Sequence, residues 1–107
     1  MNTNRWRLDG QTALITGASA GIGWASAVAL AQEGANLVLT ARRADRLAEL
    51  EEAVRKAGGQ AVSLTGDARE EDTAKKAVDL ALKSFGGLDI LINNVGVGNY
   101  KNLVDTS

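Results

Sequence analysis

Three glycines fall within Thr16-Gly17-Ala18-Ser19-Ala20-Gly21-Ile22-Gly23, between a short apolar run and an alanine-rich one. In a strand-to-helix turn each has a physical use. Gly17 permits a tight exit from the strand, and Gly21 lets a phosphate approach the backbone with no Cβ in the way. Gly23 lets the helix pack close to a sheet. The unpaired N–H groups at the start of that helix would then face the phosphate, with Ser19, Ala20 and Ile22 completing the loop around it. The Gly-x-x-x-Gly-x-Gly spacing differs from the Gly-x-Gly-x-x-Gly dinucleotide fingerprint. It also lacks the Gly-Lys-Ser/Thr ending of a nucleotide triphosphate loop, which disfavours phosphoryl transfer from ATP. The competing reading is a glycine-rich turn without a ligand, and the strand before it and helix after it weigh against that.

Composition removes other chemistries. The 107 residues contain no Cys, His or Pro. There is therefore no disulfide framework, thiol nucleophile, thiolate or imidazole metal site, or Ser-His-Asp triad. Twelve Lys and Arg against thirteen Asp and Glu give a formal charge of -1, whereas nucleic-acid binding usually demands a basic excess. The first ten residues carry Arg5, Arg7 and Asp9 with no apolar centre, so they do not form a secretory signal. The weakly polar stretch 22–32 is short of the ~20 apolar residues of a membrane span. A soluble, cytoplasmic protein with no nucleic-acid or membrane partner is expected.

The glycine turn has meaning only if the right elements flank it. Residues 12–16 read as a buried strand, 22–33 as a helix stopped by Gly34, and 36–40 as a second strand. Residues 44–57 form a helix with Leu47, Leu50 and Val54 on one face and Glu51–Arg55 and Glu52–Lys56 as i,i+4 pairs. A third strand spans 60–65. A third helix spans 70–85, with Ala74, Val78, Ala81, Leu82 and Phe85 as its apolar stripe, and a fourth strand spans 88–92. Strands alternating with helices imply a parallel sheet covered on both faces. Right-handed crossovers then give a doubly wound (Rossmann) α/β unit with strand order 3-2-1-4. The sequence shows no repeat, low-complexity tract or linker, so residues 1–107 read as a single dinucleotide-binding unit.

With the turn on this scaffold, the chain resembles the short-chain dehydrogenase/reductase family. Thr16-Gly17 through Gly21-Ile22-Gly23 matches that family's cofactor turn. Asn93-Asn94-Val95-Gly96 matches its Asn-Asn-Ala-Gly, with Val95 in place of Ala. The opening 5–14 is similar in particular to the tropinone-reductase-like branch. The resemblance implies that Asp67, with Ala68, lies against an adenine, and that Asn93 to Gly96 line the nicotinamide-side ribose. Asp67 has a second reading as a cap for the third helix, and Asn93 and Asn94 have one as partners of local backbone.

The second strand ends Thr40-Ala41-Arg42-Arg43, with no carboxylate before Asp45. An acid there would bind the 2′-hydroxyl of NAD; an Arg accommodates the 2′-phosphate of NADP. Arg42 and Arg43 thus point to NADP rather than NAD. Their other reading is a solvated helix start, although a basic residue at a helix N-terminus opposes the dipole. No catalytic residue is assigned. The family pairs Tyr with Lys four residues on, but Val104 stands four residues after Tyr100, and Lys101 is adjacent to it. The function expected is an NADP(H)-dependent oxidoreductase acting on a small carbonyl or alcohol, with this chain as its cofactor half-site. The alternative is a non-catalytic nucleotide-binding or structural Rossmann module.

Length sharpens that expectation. An α/β enzyme domain commonly runs to about 200–250 residues, so this chain reads as an incomplete, N-terminal version of the seven-stranded domain the resemblance implies. The apolar fourth strand, Ile90-Leu91-Ile92, would lie at an open edge that residues 97–107 cannot cover. Self-association into a homo-oligomer, or continuation into a longer chain, is expected from that edge.

Overall fold

The computed structural model describes residues 8–18, 21–67 and 69–93. Along the chain run β1 (Thr12–Thr16), α1 (Gly21–Gln32), β2 (Asn36–Ala41), α2 (Ala44–Ala57), β3 (Gln60–Thr65), α3 (Glu71–Phe85) and β4 (Ile90–Asn93). The strands pair in parallel in the order β3-β2-β1-β4, as the alternation of elements demands. Ala13 and Ile15 of β1, with Leu37, Leu39 and Ala41 of β2, face α1 and α2. Leu14 and Val38 face the other way, toward α3. This period-two alternation with apolar residues on both faces is what a sheet covered by helices on each side requires.

On α2 the expected stripe is the buried one: Leu47, Leu50 and Val54 all lie in the core. Of its two anticipated ion pairs, Glu51–Arg55 closes at 2.9 Å. On α3 the stripe is displaced from expectation. The helix meets the sheet through Ala74, Ala77 and Ala81, while Leu82 is 51% exposed. The reason is angular: Ala74, Ala77, Val78, Ala81 and Phe85 centre one face, and Leu82 lies about 100° round from Ala81. Small side chains at the contact let α3 approach closely.

Element ends differ by one or two residues from the sequence reading, and hydrogen bonds explain them. α3 begins at Glu71 with Glu70 as its N-cap, because the Glu70 carbonyl accepts from Ala74 N–H at 3.2 Å. β4 starts at Ile90 rather than residue 88. Just before it, Asp89 N–H donates to the Thr12 carbonyl at 2.8 Å, and the Asp89 carboxylate accepts from Thr12 N–H at 2.9 Å. At the other end of the same seam Thr16 Oγ1 donates to Asn93 Oδ1 at 2.8 Å. Side chains thus fasten β4 to β1 at both ends. In the four-stranded sheet β4 lies at the edge, with Ile90, Leu91 and Ile92 half-buried.

The α2–β3 connection fits under α1 only because Gly59 has no side chain. A Cβ there would stand 2.8 Å from the Ala35 carbonyl and 3.0 Å from Ala31 Cα. Backbone cannot yield as a flexible side chain can. Gly59→Ala is expected to destabilise the chain by about 1–3 kcal/mol, read as a lower denaturant midpoint with an unchanged m-value.

Candidate functional site

The turn after β1 belongs to two strands at once. Ala18 N–H donates to the Thr40 carbonyl at 3.0 Å, tying the turn to the end of β2. Next to it, Gly66 N–H donates to the Ala41 carbonyl at 2.9 Å, extending the β2–β3 register past its last pair, Ala41 and Thr65. The glycine turn, Arg42 and Asp67 therefore gather at the carboxyl ends of β1, β2 and β3. In an open parallel α/β sheet this is the end where ligands bind.

α1 opens at Gly21, whose φ of +58° is left-handed, and nothing stands within 4 Å of the place a Cβ would occupy. The first helical N–H groups have no partner inside the helix. No acidic side chain lies in the first turn of α1 to oppose an anion. Open space and the positive helix end fit a phosphate group. Gly23 is buried, as close helix–sheet packing requires, while Ile22 is 75% exposed at the mouth of the turn. Trp24 is half-buried against the core, and the Arg46 guanidinium covers its ring at 4.6 Å. That contact locks α1 to α2.

The two arginines after β2 have different surroundings. Arg43 is the N-cap residue of α2, and its guanidinium is held by Asp45, with Nη2 at 2.7 Å and Nε at 3.3 Å. Hydrogen bonding to Asp45 raises the Arg43 pKa and lowers that of Asp45. Arg42 is exposed and forms no ion pair among the described residues.

Asp67 does not cap α3, which corrects that reading, because Glu70 occupies the cap position. Its carboxylate is instead taken by Arg69 across a short turn. Oδ1 accepts from Arg69 N–H at 2.9 Å and Nε at 3.1 Å, and Oδ2 accepts from Nη2 at 3.0 Å. These bonds, the side-chain ones first, hold Asp67 at a pKa of about 2. Arg69 was not singled out in the sequence; the Asp67-Ala68-Arg69 spacing over a strand end was the available signal. Asn93 Oδ1 accepts from Thr16 on the neighbouring strand. Ser19, Ala20, Ala68, Asn94, Val95 and Gly96 lie outside the described residues, as do Tyr100 and Lys101.

Because the folded pKa of Asp67 is below its ordinary 3.8, the Arg69 pairing stabilises the fold above that pH. The contribution disappears as pH falls through about 2. Arg69→Ala is expected to remove this component. Between pH 5 and pH 2.5 its urea midpoint should fall less than that of the unaltered chain; equal falls would refute the pairing.

Comparison with known proteins places the architecture. The profile of the family described as short chain dehydrogenase matches residues 11–107. Hydroxysteroid dehydrogenase-like protein 2 of Homo sapiens is 41% identical over 113 residues, which cover 99% of this chain and 27% of that protein. The crystal structure of hydroxysteroid dehydrogenase from Escherichia coli superposes with a TM-score of 0.82 at 38% identity, covering 91% of this chain and 41% of that one. L-Sorbose reductase from Gluconobacter frateurii, solved with NADPH and L-sorbose, gives a TM-score of 0.78 at 40% identity, covering 85% of this chain and 35% of that one. The chain thus spans a minor part of each relative's length. No helix among the described residues is long and apolar enough to cross a membrane, and no group of His, Cys, Asp and Glu among them could hold a metal.

Proposed function

Since this chain belongs to the short-chain dehydrogenase family, an oxidoreductase family, we propose that it is the cofactor-binding part of an NADP(H)-dependent enzyme that interconverts ketones and secondary alcohols. The observation that carries the reading is the pairing of two features at one sheet end. Gly21 leaves open space at the head of α1, and Arg42, without an ion pair among the described residues, stands where β2 ends without a carboxylate. The L-sorbose reductase relative, solved with NADPH, supports it.

In this reading the N–H groups of the first turn of α1 hold the pyrophosphate, with Ser19, Ala20 and Ile22 around it. Arg42 makes a charge-assisted contact with the 2′-phosphate, and Arg43, held by Asp45, adds positive charge beside it. Asp67 and Ala68 border the adenine. Asn93, fixed by Thr16, leads into Asn94, Val95 and Gly96 against the nicotinamide-side ribose. The bound cofactor supplies or accepts hydride; the groups that polarise the carbonyl belong to sequence other than a Tyr-x-x-x-Lys in this chain, which has none. The chain is accordingly one dinucleotide-binding unit, the N-terminal part of a longer, cytoplasmic, homo-oligomeric enzyme.

The test is a titration of NADPH and NADH against the protein and against Arg42→Ala. Loss of a hydrogen bond to a charged group predicts NADPH binding about tenfold weaker or more, with NADH little changed. An unaltered NADPH/NADH preference would remove Arg42 from the site.

A further inference from the structure

β2 and β3 end side by side, the Gly66 N–H bonded to the Ala41 carbonyl, so the residues that follow, Arg42 and Asp67, leave the sheet at the same end of neighbouring strands. An exposed guanidinium beside a carboxylate ordinarily closes on it. Here the carboxylate is already occupied: Arg69 supplies three hydrogen bonds to it, two from the guanidinium and one from the backbone. A carboxylate offers about four acceptor positions, so one remains, on Oδ2. The local turn favours Arg69, because the bond from its own backbone N–H to Oδ1 keeps its guanidinium next to the carboxylate.

We infer that Arg69 is a specificity-determining positioning residue: by holding Asp67 it keeps Arg42 unpaired and available to a 2′-phosphate. The charges state the same point. Two guanidiniums and one carboxylate leave the strand ends net positive, whereas without Arg69 the remaining pair is neutral and closes on itself. The inference rests on Arg42 facing that phosphate. It adds that the selectivity of Arg42 depends on a residue that itself touches no phosphate.

The test has two arms. In the first, NADPH and NADH are titrated against Arg69→Ala, Asp67→Asn combined with Arg69→Ala, and Arg42→Ala. Recapture of Arg42 by an exposed carboxylate predicts a drop of about two- to fivefold in NADPH affinity relative to NADH for Arg69→Ala. Removing the carboxylate in the double variant restores the ratio. A ratio unchanged by Arg69→Ala, or not restored in the double variant, overturns the inference while leaving the Arg42 reading intact if Arg42→Ala lowers it. The second arm uses no cofactor. The Arg42 Nε–Hε resonance is expected to shift in Arg69→Ala and to return in the double variant; a resonance that stays put overturns the inference even if Arg42→Ala has failed to alter selectivity. Arg69→Gln repeats both arms should Arg69→Ala disturb the backbone resonances of β3 and α3.

Discussion

Gly21→Val is expected to abolish NADPH binding while leaving most of the chain's stability in place. Two effects combine at this residue. A β-branched side chain at a φ of +58° is a strained conformer costing about 1–3 kcal/mol. The same side chain would fill the open space above the first turn of α1, where nothing now stands within 4 Å of the Cβ position. On the proposed reading, a phosphate excluded from that space loses its hydrogen bonds to the helix N–H groups. At about 1.5 kcal/mol or more for each charged bond, two lost bonds weaken binding about a hundredfold or more. Gly10→Val separates the effects. Gly10 is also left-handed, at φ 82°, with open space at its Cβ position. It precedes β1, at the opposite end of the sheet from the site. It should lower the denaturant midpoint comparably and leave NADPH affinity intact. Equal losses of affinity in both variants would mean that strain, not access, controls binding.

Leu14→Ala is expected to destabilise the chain by about 3–5 kcal/mol, a large share of the ~5–15 kcal/mol typical of a folded protein. Leu14 is fully buried in β1, which is paired on both sides. The residues buried around it toward α3 are Val38, Ala74, Ala77 and Ala81. None of these is long enough to swing into the vacated volume, and the longer Phe85, Leu88 and Leu91 pack against the cluster only partly buried, so the cost follows how far they close in. Leu82→Ala, by contrast, removes a half-exposed side chain and should shift stability by no more than about 1 kcal/mol. Urea unfolding of both variants decides the matter. Similar midpoints would show that α3 packs on the sheet through a different face.

Both predictions use features that the sequence shows unequally. The turn glycines, the strand order and the α2 stripe were legible because each rests on local periodicity or on a backbone requirement confined to a few residues. The α3 stripe was legible only to within one position. Leu82 is more hydrophobic than Ala77, and composition favoured it; the sheet selected by distance of approach and took the alanine. Partner choice was the least legible. Arg43 with Asp45, Arg69 with Asp67, Arg46 over Trp24 and Thr16 with Asn93 are settled by which groups the turns and strand ends bring together. Several alternatives were open to each of these side chains along the chain. The Thr16–Asn93 bond joins residues 77 positions apart, and no local pattern announces it.

Those partner choices matter because they determine which cation at the end of β2 remains available. Arg43 is engaged by Asp45 and Asp67 is engaged by Arg69, while Arg42, at the end of β2, has no ion pair among the described residues. The most direct measurement is the dissociation constant of NADPH against that of NADH for the unaltered protein at one ionic strength. If Arg42 takes the 2′-phosphate as proposed, NADPH binds tighter than NADH by about tenfold or more. Equal affinities, tighter NADH, or no binding of either would contradict the account.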